Sequence, residues 1–183
     1  MSRIPMDHPR TPFVRFTEWY SKRKYGKVPD PGRAVLHNRK VLTTLMLTEG
    51  SAARWNSLDP TLQALAQMAS AAAIGCSWCM DFGYWLSTND GVPADKLQNV
   101  PTWRDSDLYT DLERKVLEYA EAMTATPPTV TDELVESLRK DLSDEQFVEL
   151  TALVALENQR SRTNAALGLT SQGFKEFCEL RPA

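Results

Sequence analysis

Apolar residues recur along this chain at helical spacing, in segments separated by short breaks that carry proline, glycine or a capping residue. Leu62, Leu65, Ala66 and Ala69 share one face of a segment opened by Asp59-Pro60. Leu108, Leu112, Val116, Leu117 and Ala120 do the same after Asp107. Recurrence at i, i+3, i+4 and i+7 is the pattern of an amphipathic helix that buries one stripe. No Asn-Gly or Asp-Gly turn joins two alternating runs, so the hairpin signal is missing.

The punctuation between the segments predicts where each helix begins and ends. Thr11-Pro12 and Asp30-Pro31 each place a capping side chain or proline where a first turn has no use for an amide. They predict helices over 12–25, ended by Gly26, and over 30–49, ended by Gly50. A third helix follows Asp59-Pro60, and near Cys76 a helix begins, or resumes, and runs to about Thr88, where Asn89-Asp90-Gly91 stops it. Pro93 to Asn99 suggests one short turn, and Pro101 marks a joint between two halves. Asp107 is expected to cap a helix reaching Met123, and Thr131 a short one with Leu134, Val135 and Leu138. Ser143-Asp144-Glu145-Gln146 reads as a capping box, in which serine and glutamine each satisfy an amide at the other's position. It opens the most apolar helix, which ends near Gly168. Thr170 or Ser171 opens a last helix with Phe174 and Phe177. The expectation is an all-α protein of about eight helices, one domain over 1–183 with an N-terminal extension of about fifty residues. Each half has a helical hairpin whose second helix is very apolar, which hints at an internal duplication.

Composition changes this picture little. A hydrophobic fraction of 42%, a charged fraction of 25% and a net charge of −3 in 183 residues are those of an ordinary globular protein. Acidic and basic residues are mixed, so no surface for tracking phosphates is expected and nucleic acid is excluded as a partner. No stretch approaches the roughly 18 apolar residues of a membrane span, and the first residues lack an apolar signal core. A cytoplasmic protein is expected, with no membrane partner.

The candidate chemistry sits in Gly75-Cys76-Ser77-Trp78-Cys79-Met80-Asp81-Phe82, just after the small-residue run 66–74. Two thiols at i and i+3 lie on one helix face, close enough to close a disulfide or share a proton. Three readings compete. Structural zinc needs four ligands, and Cys178, His8 and His37 stand at no paired spacing. Two cysteines can also pack simply as small hydrophobes. The third reading is redox chemistry, in which a helix N-terminus favours a thiolate and the second thiol resolves what the first forms. A thioredoxin fold is excluded because it needs βαβ units.

The alanine-rich helix, Gly75-Cys76-Ser77-Trp78-Cys79, and the continuing Met80-Asp81-Phe82-Gly83 resemble the carboxymuconolactone decarboxylase and alkylhydroperoxidase D-like superfamily. The stretches 113–120 and 156–169 look like that family's later helices, and the resemblance covers about 55–175. It implies an all-α homo-oligomer with thiol-dependent peroxidase or disulfide-reductase activity, acting on a peroxide or disulfide. The electrons would come from a dithiol or protein thiol, and no prosthetic group is needed. It further implies that Cys79 attacks the peroxide and that Cys76 resolves the sulfenic acid.

The family's proton relay does not carry over. Its glutamate falls at Ala64, between Gln63 and Gln67, and its two histidines fall at Trp78 and Gly83. An unassisted thiol of pKa about 8.5 is only a few per cent thiolate at neutral pH. Asp81 is the candidate replacement relay. Glu157, Arg160 and Arg162 on the long C-terminal helix are further candidates, although an ion-pair network is the plainer use for them. The alternatives to a peroxidase are a lactone decarboxylase-like enzyme, or a non-enzymatic, redox-sensing oligomer that binds a small ligand.

Overall fold

The computed structural model describes residues 2–176, and every regular element among them is helical. Nine α-helices follow in order: α1 (Pro12–Tyr25), α2 (Asp30–Val35), α3 (Arg39–Ala52), α4 (Pro60–Ile74), α5 (Ser77–Asn89), α6 (Ala94–Asn99), α7 (Asp111–Thr124), α8 (Asp132–Arg139) and α9 (Asp144–Ala166). A 3-10 turn, Val100–Asp105, joins α6 to the segment before α7.

The core is built around α4, which packs against α5, α7 and α9. Its buried residues, Leu62, Ala64, Leu65, Ala66, Met68, Ala69, Ser70 and Ala71, surround the helix rather than forming a stripe. A helix apolar all round belongs in the middle of a bundle. Its alanines let neighbouring helices approach closely. Val116, Leu117 and Ala120 of α7 and Leu150, Leu153 and Val154 of α9 complete the main cluster. This cluster runs on both sides of the joint at Pro101, so the two halves share it.

Helix ends follow the expected chemistry with local corrections. The Thr11, Asp59, Thr131 and Ser143 caps form, the last with its capping box. The helix expected over 30–49 is two helices. Asn38 interrupts it by turning its side-chain oxygen to the amides of Lys40 and Val41, a capping geometry asparagine prefers to a helix interior. The second piece then runs through Gly50 to Ala52. The helix expected from Asp107 starts at Asp111, because Thr110 and Glu113 form a reciprocal capping box there. The turn after Pro93 is a full short helix. The last helix does not open at Thr170 or Ser171: residues 169–174 are non-helical, Lys175 is in a turn, helix begins at Glu176, and the remainder, with Phe177 and Cys178, lies outside the described residues.

The first fifty residues make polar contacts with residues 165–173. Arg3 reaches the carbonyls of Ala165 and Ala166, and its amide donates to Leu167. Lys27 donates to the carbonyls of Gln172 and Gly173. On α1 only Val14 is buried, while Phe16, Trp19 and Tyr20 are at least half exposed.

Candidate functional site

Two residues separate α4 from α5, and they place both sulfurs. Gly75 closes α4 in the left-handed conformation at φ +77°, where a side chain would be strained. The amide of Cys76 then returns to the carbonyl of Ala71, completing a Schellman turn. Cys76 is at once the N-cap of α5: its Sγ accepts the amide of Cys79 at 3.2 Å. The two cysteines are joined in a disulfide with Cα atoms 5.3 Å apart, and both are buried. The spacing that suggested a shared helical face is realised with Cys76 as the cap and Cys79 in the first turn.

Across from this turn stands α9. Asn164, itself buried, donates its side-chain amide to Cys79 Sγ at 3.3 Å. Glu157, Ser161 and Asn164 recur at i, i+4 and i+7 and are all buried, making a polar line on the face of a core helix. Ser161 donates to Glu157 at 2.7 Å. Burial pushes the Glu157 carboxyl up to about 7, despite Arg160 and Ser161 beside it. Arg160 is shared: Nε and Nη2 donate to Glu49 of α3, while Nη1 donates to Gln67 of α4 and, at 3.3 Å, to Glu157. Nothing in the sequence marked Asn164. An asparagine near a helix end reads as a cap or a surface residue until the partner helix is known.

The positions where the family's relay is missing are filled by packing. Ala64 is buried in the main core. Its neighbours Gln63 and Gln67 face α9, where Gln63 donates to Glu149 and Gln67 accepts from Arg160. The carboxylates of this interface therefore stand on α9 and the amides on α4. A Cβ built on Gly83 would lie 2.9 Å from Met68 Sδ, so α5 approaches α4 too closely there for a histidine. Trp78 stacks on Phe82 with centroids 4.8 Å apart and donates its indole N–H to Gln172. Phe174, Tyr25 and Trp85 extend this aromatic wall beside the cysteines.

Asp81, one turn below the disulfide on α5, is engaged by the chain's last described segment. Its two oxygens accept the hydroxyl of Ser171 and the amides of Gln172 and Lys175. Burial acts to raise its pKa, but the backbone donors and Ser171 outweigh it and hold the carboxyl below its ordinary value. A cleft of about 460 Å³ opens alongside, lined by Met68, Met80, Asp81, Tyr84, Gln98 and Lys175 among others; neither cysteine lines it.

The remaining candidates fall elsewhere. The rings of His8 and His37 pack against each other, tilted by 46° with centroids 4.3 Å apart, and each has a ring nitrogen at a backbone carbonyl, of Arg33 and Pro5. Arg162 binds Thr124 and Thr126 on the far side of α9. Among the described residues no three His, Cys, Asp or Glu side chains are grouped as for a metal, and no helix is long and apolar enough to cross a membrane.

A profile of the carboxymuconolactone decarboxylase family matches residues 40–122, from the start of α3 to the end of α7. Uncharacterized protein YnjA of Escherichia coli K12 is 34% identical over 182 residues, covering 99% of this chain and 97% of that protein. Two solved structures share the fold at lower identity. The alkylhydroperoxidase AhpD core of Ralstonia eutropha JMP134, an uncharacterized peroxidase-related protein, superposes with a TM-score of 0.77 at 18% identity, over 95% of this chain and 94% of its own. A variant of the debrominase Bmp8 in complex with 2,3,4-tribromopyrrole superposes with a TM-score of 0.81 at 19% identity, over 99% and 100%.

Proposed function

The chain belongs to the carboxymuconolactone decarboxylase family, and on that premise we propose that it is a thiol-dependent peroxidase and disulfide oxidoreductase. Cys79 attacks a peroxide and Cys76 resolves the product. The observation that carries this reading is the buried Cys76–Cys79 disulfide at the head of α5, with Asn164 donating to Cys79 Sγ. A donor aimed at a sulfur stabilises its thiolate, and the free amides of a first helical turn act the same way.

The cycle starts from the reduced pair. The Cys79 thiolate attacks one peroxide oxygen, so a sulfur–oxygen bond forms, the oxygen–oxygen bond breaks, and the alkoxide leaves with the proton Cys79 gave up. The Cys76 sulfur then attacks the sulfenic sulfur. The disulfide forms and hydroxide leaves, protonated to water by the proton of Cys76. A dithiol or protein thiol restores the pair by exchange, and is itself oxidised to a disulfide. Asp81 contributes by holding residues 171–175 beside the pair, since its oxygens are already occupied by that segment. A reducing cytoplasm would regenerate the dithiol. The exposed aromatic residues of α1, Phe16, Trp19 and Tyr20, support assembly of several copies of the chain.

The test is turnover of tert-butyl hydroperoxide by reduced protein with dithiothreitol as donor. The wild type is expected to consume peroxide catalytically, and Cys79→Ser to lose this entirely. Undiminished turnover in Cys79→Ser overturns the proposal.

A further inference from the structure

Of the buried carboxyls the proposed chemistry leaves unused, Glu113 is paired with Lys96 and Glu149 accepts from Ser57, Leu58 and Gln63, which leaves Glu157. Glu157 is 6% exposed, Ser161 is fully buried and Asn164 is 4% exposed, so α9 commits two turns of a core-facing stripe to polar side chains. Burying a carboxyl costs several kcal/mol unless a full charge partner meets it. Arg160 gives its two shorter bonds to Glu49, at 2.8 and 2.5 Å, and pairs with Glu157 through one longer hydrogen bond of 3.3 Å. Leucine in place of Glu157 would pack this interface at lower cost.

The line has a direction. Glu157 turns one oxygen toward the C-terminal end of α9, where the Ser161 hydroxyl meets it at 2.7 Å. One turn further, about 4.5 Å along the axis, Asn164 touches Cys79 Sγ. The Ser161 hydroxyl thus stands one turn from the residue that contacts the sulfur, on the same face of α9, and a general base can act directly or through one water.

We infer that Glu157 is the proton partner of the Cys76–Cys79 pair, exchanging protons with Cys79 through the Ser161 hydroxyl and one water. The inference rests on the redox reading of the two cysteines. In it, Glu157 as carboxylate takes the Cys79 proton when the thiolate forms, and returns it to the alkoxide when the oxygen–oxygen bond breaks. The carboxylate is restored once the alkoxide is protonated. The base reaches the pair from α9, while α4 keeps alanine and glutamines at the positions facing it.

Other groups around Glu157 leave this role open. From its own helix Arg160 and Ser161 act on it, and from α3 Glu49. Of the other helices packed against α9, α4 brings the neutral Gln67 and α5 the cysteine pair. The Tyr119 hydroxyl of α7 is engaged with Thr151, and Arg139 of α8 pairs with Asp144 at the other end of α9. Burial places the Glu157 carboxyl at about 7, near the pH at which a base must both accept and release protons.

The test is the rate of Cys79 alkylation by iodoacetamide in the fully reduced protein from pH 5 to 10, read on the Cys79 peptide by mass spectrometry. The wild type is expected to rise in two steps, the lower near pH 7, because a carboxylate and a thiol that share one proton titrate together. Glu157→Gln is expected to lose the lower step and keep a single rise near the ordinary thiol value of about 8.5. Glu157→Asp, which can still ionise, retains two steps. Ser161→Ala, a smaller change to the core, is expected to lose the lower step while leaving Glu157 and Arg160 in place. Hydroperoxide turnover should fall by about 10² to 10⁴ in Glu157→Gln. A Cys79 profile unchanged in both Glu157→Gln and Ser161→Ala overturns the inference. Should the wild type turn over no hydroperoxide while the lower step still depends on Glu157, the peroxidase reading falls and the proton partnership stands.

Discussion

Asn164 and Cys79 lie 85 residues apart in the chain and meet in the core, the amide of one donating to the sulfur of the other at 3.3 Å. The contact joins the last turn of α9 to the first turn of α5. It is the only side-chain hydrogen bond to either sulfur among the described residues.

Removing that donor should weaken the thiolate more than the fold. A hydrogen bond to a charged group contributes about 1.5–3 kcal/mol, which corresponds to roughly one to two pH units. Asn164→Leu is therefore expected to move the Cys79 alkylation midpoint up by that amount and to slow hydroperoxide turnover about tenfold to a hundredfold. Asn164→Ser, which keeps a donor but shortens it, should fall between. Equal midpoints in Asn164→Leu and wild type would show that the contact is packing alone.

The two cysteines should separate by what they trap. Cys79→Ser is expected to form no sulfenic acid with hydroperoxide. Cys76→Ser should form one at Cys79 and hold it, detectable as a single dimedone adduct, with catalytic turnover lost. An adduct on Cys76 in Cys79→Ser would reverse the assigned roles. The reversal has a physical basis to test against, because the Cys76 sulfur is the one that accepts a helix amide.

Glu157 should make stability depend on pH in a defined direction. Its folded pKa of about 7 stands above the ordinary 4.5. Between those values the native state holds a proton that the unfolded chain has released, so stability falls as pH rises through this window and levels above it. The loss amounts to roughly 3 kcal/mol. Glu157→Gln removes it, so the stability of the variant relative to wild type is expected to improve by about that amount from pH 5 to pH 8. Urea denaturation of the two reduced proteins at both pH values reads the difference.

Reinstating a histidine at position 83 should cost stability without restoring a relay. A Cβ there already meets Met68 Sδ, and the imidazole would have to displace that side chain from the α4–α5 contact. Overpacking of this kind costs about 1–3 kcal/mol. Gly83→Ala, in contrast, is expected to be close to neutral, since the flexible end of Met68 can yield and alanine favours the helix. Thermal unfolding of the two variants gives the comparison.

Local chemistry settled much of this protein before any contact was known. The caps at Thr11, Asp59, Thr131 and Ser143 and the glycine after Ile74 act within a turn, so their effects are readable from neighbours in the chain. The all-helical class follows from spacings of three and four residues, and the Cys-x-x-Cys spacing allowed a disulfide that the family resemblance implied. Where the sequence misled, a competing local choice won: Asn38 capped α3 instead of continuing a helix, and the Thr110–Glu113 box displaced a start at Asp107. Asp81 binds Ser171, Gln172 and Lys175, and helix begins only after them, at Glu176. The surroundings of the sulfurs were a different matter. Asn164, the Glu157–Ser161 line, the glutamines of α4 and the lack of room at Gly83 all depend on how α9 and α5 pack against α4. Helix packing is decided by side chains distant in sequence, and periodicity along one helix cannot say which residue of another it will meet. The dithiol was legible from the chain alone, and its polar partner was decided by the packing of α9.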